Sequence, residues 1–203
     1  MDLFNSDIKA NRLPYDGEVS YYGPILSSAE AQRYFIELFD EIAWKNDSSL
    51  LFGKLIVTDR KVALYAYKNL KYTYANIERE ALPFTENLLQ LKKLVEENTG
   101  AQFNSCLLNL YHSGKEGMGW HSDGEKDLQE SGVIASLSFG AERNFVFKHK
   151  ETKHRIPVLL QNGALLVMKG STQQHWLHSL PKISKIKTPR INLTFRTIQN
   201  FGN

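Results

Sequence analysis

A short polar segment that follows a group of glycines carries residue types that bind metal ions. His121 and Asp123 stand two positions apart in Trp120-His121-Ser122-Asp123, and residues i and i+2 of an extended strand point to the same side. His178, in Trp176-Leu177-His178, is the candidate third ligand. Two imidazoles and one carboxylate on one face of an octahedron leave three positions open, as in non-haem iron(II) oxygenases. Those positions could accept a bidentate 2-oxo acid and dioxygen.

The triplet His-x-Asp is a weak signal when it stands alone. His175 is the main rival of His178 for the third ligand position. We interpret His112, His149 and His154 as surface or packing residues, because no other potential ligand stands in a comparable pattern around them. The same donor set does not exclude zinc, so a zinc hydrolase is an alternative at this point.

A second segment, near the end of the sequence, predicts a strand with one polar face. The polar positions alternate with Ile191, Leu193 and Phe195, and they are Arg190, Asn192, Thr194 and Arg196. Arginine binds carboxylates through paired hydrogen bonds, and 2-oxoglutarate has two carboxylates. The two arginines lie about 20 Å apart along a strand, so their side chains would have to lean toward a common centre. The alternative is an edge strand with a solvated basic face.

The elements that would position these residues change in type along the chain. Ser27-Ser28-Ala29-Glu30 is a capping box in front of an amphipathic helix. A second helix is predicted to begin near Pro83-Phe84-Thr85 and to stop at Gly100. From residue 103 onward, short alternating runs predict strands. The pattern indicates an α+β protein with a sandwich or barrel of strands, in which an inward polar row is typical of a ligand cavity.

Composition sets broad limits on the class of protein. The 203 residues are 42% hydrophobic and 23% charged, which predicts one soluble domain over 1–203. A single cysteine, Cys106, fits a reducing compartment and is interpreted as core packing. No signal peptide and no membrane span are expected. We predict a location in the cytoplasm of a bacterium, or in the nucleus of a eukaryote, and separately predict a monomer. The net charge of +3 permits a polyanionic partner without requiring one.

Taken together, these segments resemble the catalytic core of the AlkB family of nucleic-acid dealkylases. The resemblance covers roughly 50–198, with a catalytic core at about 103–198 and a substrate-recognition lid at about 50–80. It is closest to the branch that acts on double-stranded DNA. The segments that carry it are Asn109-Leu110-Tyr111, His121 to Glu125, Ser138-Phe139-Gly140-Ala141, Phe145-Val146-Phe147, His175 to Pro181 and Arg190 to Arg196.

The resemblance implies a double-stranded β-helix, or jelly roll, with flanking N-terminal helices. It implies Fe(II), 2-oxoglutarate and O2 as cofactors, with His121, Asp123 and His178 as iron ligands. The implied contacts to 2-oxoglutarate are Asn109, Tyr111, Arg190, Asn192, Thr194 and Arg196. Within that set, Arg190 and Tyr111 would hold the far carboxylate, and Asn109 and Arg196 would lie nearer the chelating end.

The resemblance also implies residues on the substrate side, since base chemistry in a duplex requires the base to be flipped out. Phe52, Gly53 and Lys54 resemble a wedge hairpin. Arg60, with Lys61, would contact phosphates. Tyr72, Thr73 and Tyr74 stand where a damaged base is held, and Glu125 would contact it. The sequence differs from the family pattern at Gly124, where an acidic residue is usual, and at Tyr74, where a phenylalanine is usual. These two differences bear on the range of lesions that the enzyme would accept.

The implied reaction is oxidative removal of alkyl groups from bases such as N1-methyladenine and N3-methylcytosine in DNA, with RNA as the alternative substrate. It releases formaldehyde, succinate and CO2. Two alternatives belong to other classes. One is an oxygenase with the same centre that acts on a protein or a small molecule, and the other is a catalytically inactive nucleic-acid-binding module. The second predicts a missing ligand or arginine, and the sequence retains all of them.

Overall fold

The computed structural model describes residues 10–51, 54–67, 71–74, 77–124 and 132–199. At 49–51, 54–55, 71–74 and 77–80 it describes the backbone only. The helices are α1 (Ser28–Glu41), α2 (Glu86–Thr99) and α3 (Thr172–His175). The strands are β1 (Glu18–Pro24), β2 (Lys45–Leu51), β3 (Lys54–Ala66), β4 (Lys71–Tyr74), β5 (Ile77–Glu80), β6 (Leu82–Pro83), β7 (Ser105–Tyr111), β8 (Met118–His121), β9 (Ile134–Gly140), β10 (Arg143–His149), β11 (Arg155–Leu160), β12 (Ala164–Lys169), β13 (Trp176–Leu180) and β14 (Arg190–Arg196).

Two antiparallel sheets form the body of the protein. The larger sheet has the order β1-β12-β9-β14-β7-β3-β2, with β6 added to β3. The smaller sheet has the order β11-β10-β13-β8, and a separate two-stranded sheet pairs β4 with β5. Long connections carry the chain from one sheet to the other, for example from β12 to β13 and from β13 to β14. This is the predicted jelly roll, an α+β fold in which most regular structure is strand.

The register of the larger sheet builds a polar patch across its three central strands. In β14, Asn192 lies opposite Asn109 of β7 on one side and opposite Ser138 of β9 on the other. Two residues away, Arg190 lies opposite Tyr111. Because side chains alternate between the faces of a strand, these residues share one face. The polar row predicted from the sequence therefore spans three strands.

The opposite face of the same strands forms the main core. Leu108, Leu137 and Leu193 are fully buried there against the apolar faces of α1 and α2. Cys106 lies in this core, and burial raises the pKa of its thiol, as expected of a packing residue. The helices thus cover one face of the large sheet and leave its polar face toward the small sheet.

Both predicted helices are confirmed with their caps. Ser27 and Glu30 form a complete capping box at α1, and α2 begins after Thr85 and ends at Gly100 in the left-handed conformation. Strands β1, β2 and β3 were not predicted as members of the large sheet. They contain few strictly alternating apolar residues, and their membership depends on pairing with distant strands β12 and β7. Within the described residues, no helix has both the length and the apolar character needed to cross a bilayer.

Gly140 allows the end of β9 to lie directly against both β14 and α1. Its φ is +80°, and a Cβ placed there would lie 2.5 Å from the Pro189 carbonyl oxygen and 2.8 Å from the Phe35 ring. Gly100 has a similar φ of +70°, but a Cβ there would meet nothing within 4 Å. An alanine at Gly100 would therefore introduce backbone strain alone, whereas an alanine at Gly140 would introduce both strain and a steric clash.

We expect Gly100→Ala to lower the free energy of unfolding by about 1–2 kcal/mol, the cost of a left-handed alanine. Gly140→Ala adds a clash with backbone and should cost more, roughly 3 kcal/mol or above. Urea denaturation of both variants measures this difference. Equal losses would show that crowding at Gly140 is relieved without cost.

Candidate metal and co-substrate site

The metal triad predicted from the sequence meets between the two sheets. His121 ends β8 and lies directly opposite His178 of β13 in the small sheet. Asp123 stands just beyond β8, and its backbone N–H donates to the side-chain oxygen of Gln173 from α3 at 2.9 Å. Neighbouring strands and one side-chain hydrogen bond therefore bring the three residues together.

The donor atoms of the triad converge on one point. The Nε2 atoms of His121 and His178 lie 3.1 Å apart, and both lie near Oδ1 of Asp123, at 3.8 and 3.7 Å. Adjacent ligands of an octahedral metal are roughly 3 Å apart when each bond is about 2.1 Å. The triangle therefore fits a divalent metal after a small contraction.

Hydrogen bonds leave the donor atoms of His121 and Asp123 free for a metal. His121 donates from Nδ1 to the Gly119 carbonyl at 2.8 Å, so the lone pair of its Nε2 faces the site. Arg196 pairs with Oδ2 of Asp123 at 2.9 Å, whereas the buried Oδ1 has no hydrogen-bond partner among the described residues. A buried carboxylate oxygen without a partner is costly, and a bound cation would satisfy it.

Electrostatics keep His121 and Asp123 in the protonation states that a metal requires. Burial, with the adjacent His178, lowers the pKa of His121 to about 4. Burial alone would raise the pKa of Asp123, but the Arg196 guanidinium and then His178 hold it well below its usual range. At neutral pH the carboxylate is therefore ionised and the His121 imidazole is neutral, as metal binding requires.

Aromatic packing positions His178. The Phe145 ring lies 5.1 Å from the His178 ring at a shallow angle, and Phe147 packs edge-on against it at 6.2 Å. The Nδ1 atom of His178 is buried without a hydrogen-bond partner in the described structure. Apolar contacts therefore set the ring orientation that a hydrogen bond more commonly sets at metal-binding histidines.

The rival ligand His175 lies in a different cluster. Its ring stacks on His149 with centroids 6.2 Å apart, and Asp16 completes that group. Nδ1 of His149 accepts from the backbone N–H groups of Glu151 and Thr152, so the proton of a neutral imidazole is on Nε2. That N–H faces Asp16 at 3.3 Å and has no lone pair for a metal. The structure thus favours His178 as the third ligand.

The face of the large sheet that points toward the triad carries a buried cation without a counter-ion. Arg190 is 2% exposed and donates to Ser138 and Asn192, yet no carboxylate described in the structure lies within ion-pair distance of it. Burial lowers its pKa to about 10, and the nearby charge of Arg143 acts in the same direction. Tyr111 lies beside it, 5.7 Å from the guanidinium carbon to the ring centre. This environment fits an incoming carboxylate.

The two arginines of β14 lie at different places in one cavity. Arg196 pairs with the metal ligand Asp123, whereas Arg190 is at the far end of the strand. Asn192 is engaged by its neighbours, since its Oδ1 accepts from Arg190 and Ser136 and its Nδ2 donates to Thr194. The cavity is lined by Leu107, Asn109, Tyr111, Met118, His121, Asp123, Ser136, Phe145, Met168, His178, Leu180, Arg190, Asn192, Thr194 and Arg196.

Arg60 corrects one expectation about the substrate side. It was expected to contact a phosphate, but its side chain is 7% exposed and turned inward. There it forms a buried ion pair with Asp47 and donates to the Asn109 oxygen at 3.1 Å. A cation that is buried and paired in this way is not presented to a phosphate on the surface. Its neighbour Lys61 is partly exposed and bonded to Asn46.

The other predicted substrate residues lie where the structure gives no side-chain description. Phe52, Gly53 and Glu125 lie outside the described residues. For Lys54, Tyr72, Thr73 and Tyr74, only the backbone is described, at the start of β3 and in β4. Their roles stay predictions.

Some residues of the site were not found from the sequence. Ser136 and Ser138 belong to the polar face of β9, and their alternation with Ala135 and Leu137 was the available signal. Asp47 and Gln173 reach the site from β2 and α3. Nothing in their local sequence marks them, because their roles arise only from distant pairing.

Comparison with known proteins agrees with this geometry. The family model of the 2OG-Fe(II) oxygenase superfamily matches residues 18–196. The chain is 40% identical over 179 residues to "Alpha-ketoglutarate-dependent dioxygenase alkB homolog 3" of Bos taurus, which is 83% of this chain and 62% of that protein. It is 37% identical over 188 residues to "DNA oxidative demethylase ALKBH2" of Homo sapiens, covering 87% of this chain and 72% of that protein.

The chain thus spans less than two thirds of the bovine homolog 3 and more of the human ALKBH2. A solved structure, "The structure of OsALKBH1", matches the fold with a TM-score of 0.58 at 15% identity, covering 83% of this chain and 90% of that one. The family model covers most of the chain, including the segments that hold the metal triad and the two arginines of β14. This protein therefore belongs to the 2OG-Fe(II) oxygenase superfamily and, within it, to the AlkB family.

Proposed function

We propose that this protein removes alkyl groups oxidatively from damaged bases in DNA, using Fe(II), 2-oxoglutarate and O2. The observation that carries the proposal is one cavity that joins a convergent His121–Asp123–His178 triad to a buried arginine lacking a carboxylate. Relatives named "DNA oxidative demethylase ALKBH2" support DNA as the substrate.

Different residues of the cavity would bind the metal and the co-substrate. His121, Asp123 and His178 would hold the iron, which when bound supplies the activation of dioxygen that oxidises the alkyl carbon. Arg190 would bind the distal carboxylate of 2-oxoglutarate, since that carboxylate supplies the counter-ion the arginine lacks. Phe145 and Leu180 line the cavity beside the triad and would help to exclude water. For each methyl group removed, 2-oxoglutarate and O2 would yield succinate, CO2 and formaldehyde.

The outer face of the small sheet supports a polyanionic partner. Trp120 is 38% exposed and immediately precedes His121. Lys148 of β10 lies 4.2 Å above the Trp120 ring, and Arg155 of β11 lies 5.6 Å from it. These three residues, named here the basic row, combine an aromatic surface with two cations. Such surfaces suit a nucleic-acid strand beside the reacting base.

Double-stranded DNA is the form that we propose as substrate, with single-stranded DNA and RNA as the competing forms. Phe52 lies between β2 and β3 in the sequence, and a wedge there would be useful only where a base pair has to be opened. We further propose that the protein acts as a monomer in the cytoplasm of a bacterium, or in the nucleus of a eukaryote.

The central test is turnover of a duplex oligonucleotide that carries one N1-methyladenine. With Fe(II), 2-oxoglutarate and oxygen, we expect mass spectrometry to show the loss of one methylene mass and the formation of succinate. His178→Ala removes a metal ligand and should lower the rate by at least about 100-fold, more than the usual loss of an outer-shell partner.

The matched control is His175→Ala, which removes a histidine outside the triad and should retain most of the activity. If the oligonucleotide stays intact while wild-type protein still consumes 2-oxoglutarate, the substrate is a different nucleic acid, a protein or a small molecule. If wild-type protein binds neither iron nor 2-oxoglutarate, the proposed function is wrong.

The basic row gives a second prediction. Lys148→Glu should weaken binding of duplex DNA and reduce the slope of log affinity against log salt by about 0.9, the value of one lost phosphate contact. The matched control is Lys93→Glu on α2, where the lysine side chain is 79% exposed. Fluorescence anisotropy over a salt series measures both slopes. If the two variants change the affinity for DNA and its salt slope equally, the effect of Lys148 comes from net charge and not from a phosphate contact.

A further inference from the structure

A buried ion pair joins the β2–β3 hairpin to the co-substrate strand. Arg60 of β3 and Asp47 of β2 are 7% and 4% exposed, and their side chains form a salt bridge. Removing two charges from water is costly in free energy, and their attraction offsets that cost only when further hydrogen bonds satisfy the remaining donors. One of those donors is directed at Asn109 of β7.

The contact with Asn109 fixes which end of the amide faces the cavity. Arg60 Nη1 lies 3.1 Å from Oδ1 of Asn109. A guanidinium group only donates, so the amide oxygen must be the atom that faces it. The amide nitrogen is then the end left for the cavity, which Asn109 lines. This assignment follows from the chemistry of arginine and does not depend on telling oxygen from nitrogen by shape.

The same guanidinium also lies beside Tyr111, the second polar residue that β7 places in the cavity. Its central carbon is 5.8 Å from the centre of the Tyr111 ring, and Arg190 is 5.7 Å from that ring. The pairing of Val62 with Asn109 places β3 directly next to β7, which brings Arg60 within reach. Arg60 thus contacts both of the polar residues, Asn109 and Tyr111, that β7 contributes to the cavity.

We infer that Arg60, held by Asp47, is a positioning residue that turns the Asn109 amide so that its N–H groups donate to the co-substrate. The inference rests on the proposed function, since it takes 2-oxoglutarate as the ligand. Every oxygen of ionised 2-oxoglutarate accepts hydrogen bonds and none donates. A flipped amide would present its own oxygen to these acceptors, so the orientation decides between attraction and repulsion.

The test is the affinity for 2-oxoglutarate of protein loaded with Mn(II) and kept free of oxygen, measured by calorimetry. The double variant Asp47→Asn with Arg60→Met removes the pair without leaving one buried charge alone. We expect its affinity for 2-oxoglutarate to fall about 10- to 100-fold, the value of a hydrogen bond to a charged group. Its affinity for Mn(II) should not change, whereas a general structural defect would weaken both.

A double-mutant cycle separates positioning from other effects. In an Asn109→Ala background, the Asp47→Asn, Arg60→Met change should cause no further loss, because the amide that it positions is absent. Independent, additive losses would overturn the inference. Lys61→Met, next to Arg60 and partly exposed, is the matched control and should bind 2-oxoglutarate as the wild type does.

Asn109→Asp tests the same orientation with the Arg60–Asp47 pair intact, in case the double variant does not fold. Aspartate can still accept from Arg60, but it places an oxygen where the amide N–H groups were, so binding of 2-oxoglutarate should be lost. Wild-type-like binding by this variant would overturn the inference. Wild-type protein that does not bind 2-oxoglutarate at all would overturn the proposed function and the inference together, whereas additive losses in binding-competent protein overturn the inference alone.

Discussion

The cost of burying positive charge governs how this structure is arranged. An isolated ion moved into a protein interior loses several kcal/mol of solvation, and only a nearby counter-charge or a dense set of hydrogen bonds restores it. Arg60 has Asp47 and Arg196 has Asp123, but Arg190 has neutral partners alone among the residues described. The two compensated arginines hold other site residues in place. Of the two arginines that line the cavity, Arg190 is the one without a described counter-charge, so a ligand carboxylate would be most strongly stabilised beside it.

Strand alternation is what makes such an interior possible. Each central strand of the large sheet places leucine, isoleucine or phenylalanine against the helices, and polar side chains against the small sheet. The apolar contacts on one face provide the stability that the polar face lacks. The core behind the large sheet therefore supports the cavity in front of it. A shift of β14 by one residue would exchange its polar and apolar faces and disrupt both.

The sequence allowed the catalytic half of the protein to be predicted and much less of the recognition half. His121, Asp123 and the alternation in β14 lie in compact local patterns, so periodicity alone indicated their common faces. The choice of His178 over His175 needed the cross-strand pairing of β13 with β8. The inward turn of Arg60 could not be predicted, because its partner Asp47 comes from another strand and Asn109 from a third. Pairing between distant segments is the information that a local pattern lacks.

The position of His121 at the edge of the small sheet has a consequence for the mechanical integrity of the protein. Within the described part of the chain, strand β8 is the last strand of that sheet and pairs with β13 alone, in a register interrupted by an irregularity. A metal held by His121 and His178 would therefore join two strands whose pairing is short and irregular. Ligands that bind only the folded state stabilise it, so metal occupancy should slow amide hydrogen exchange along β8 first. In metal-free protein, β8 would then be more accessible to proteases, and the site would also be inactive.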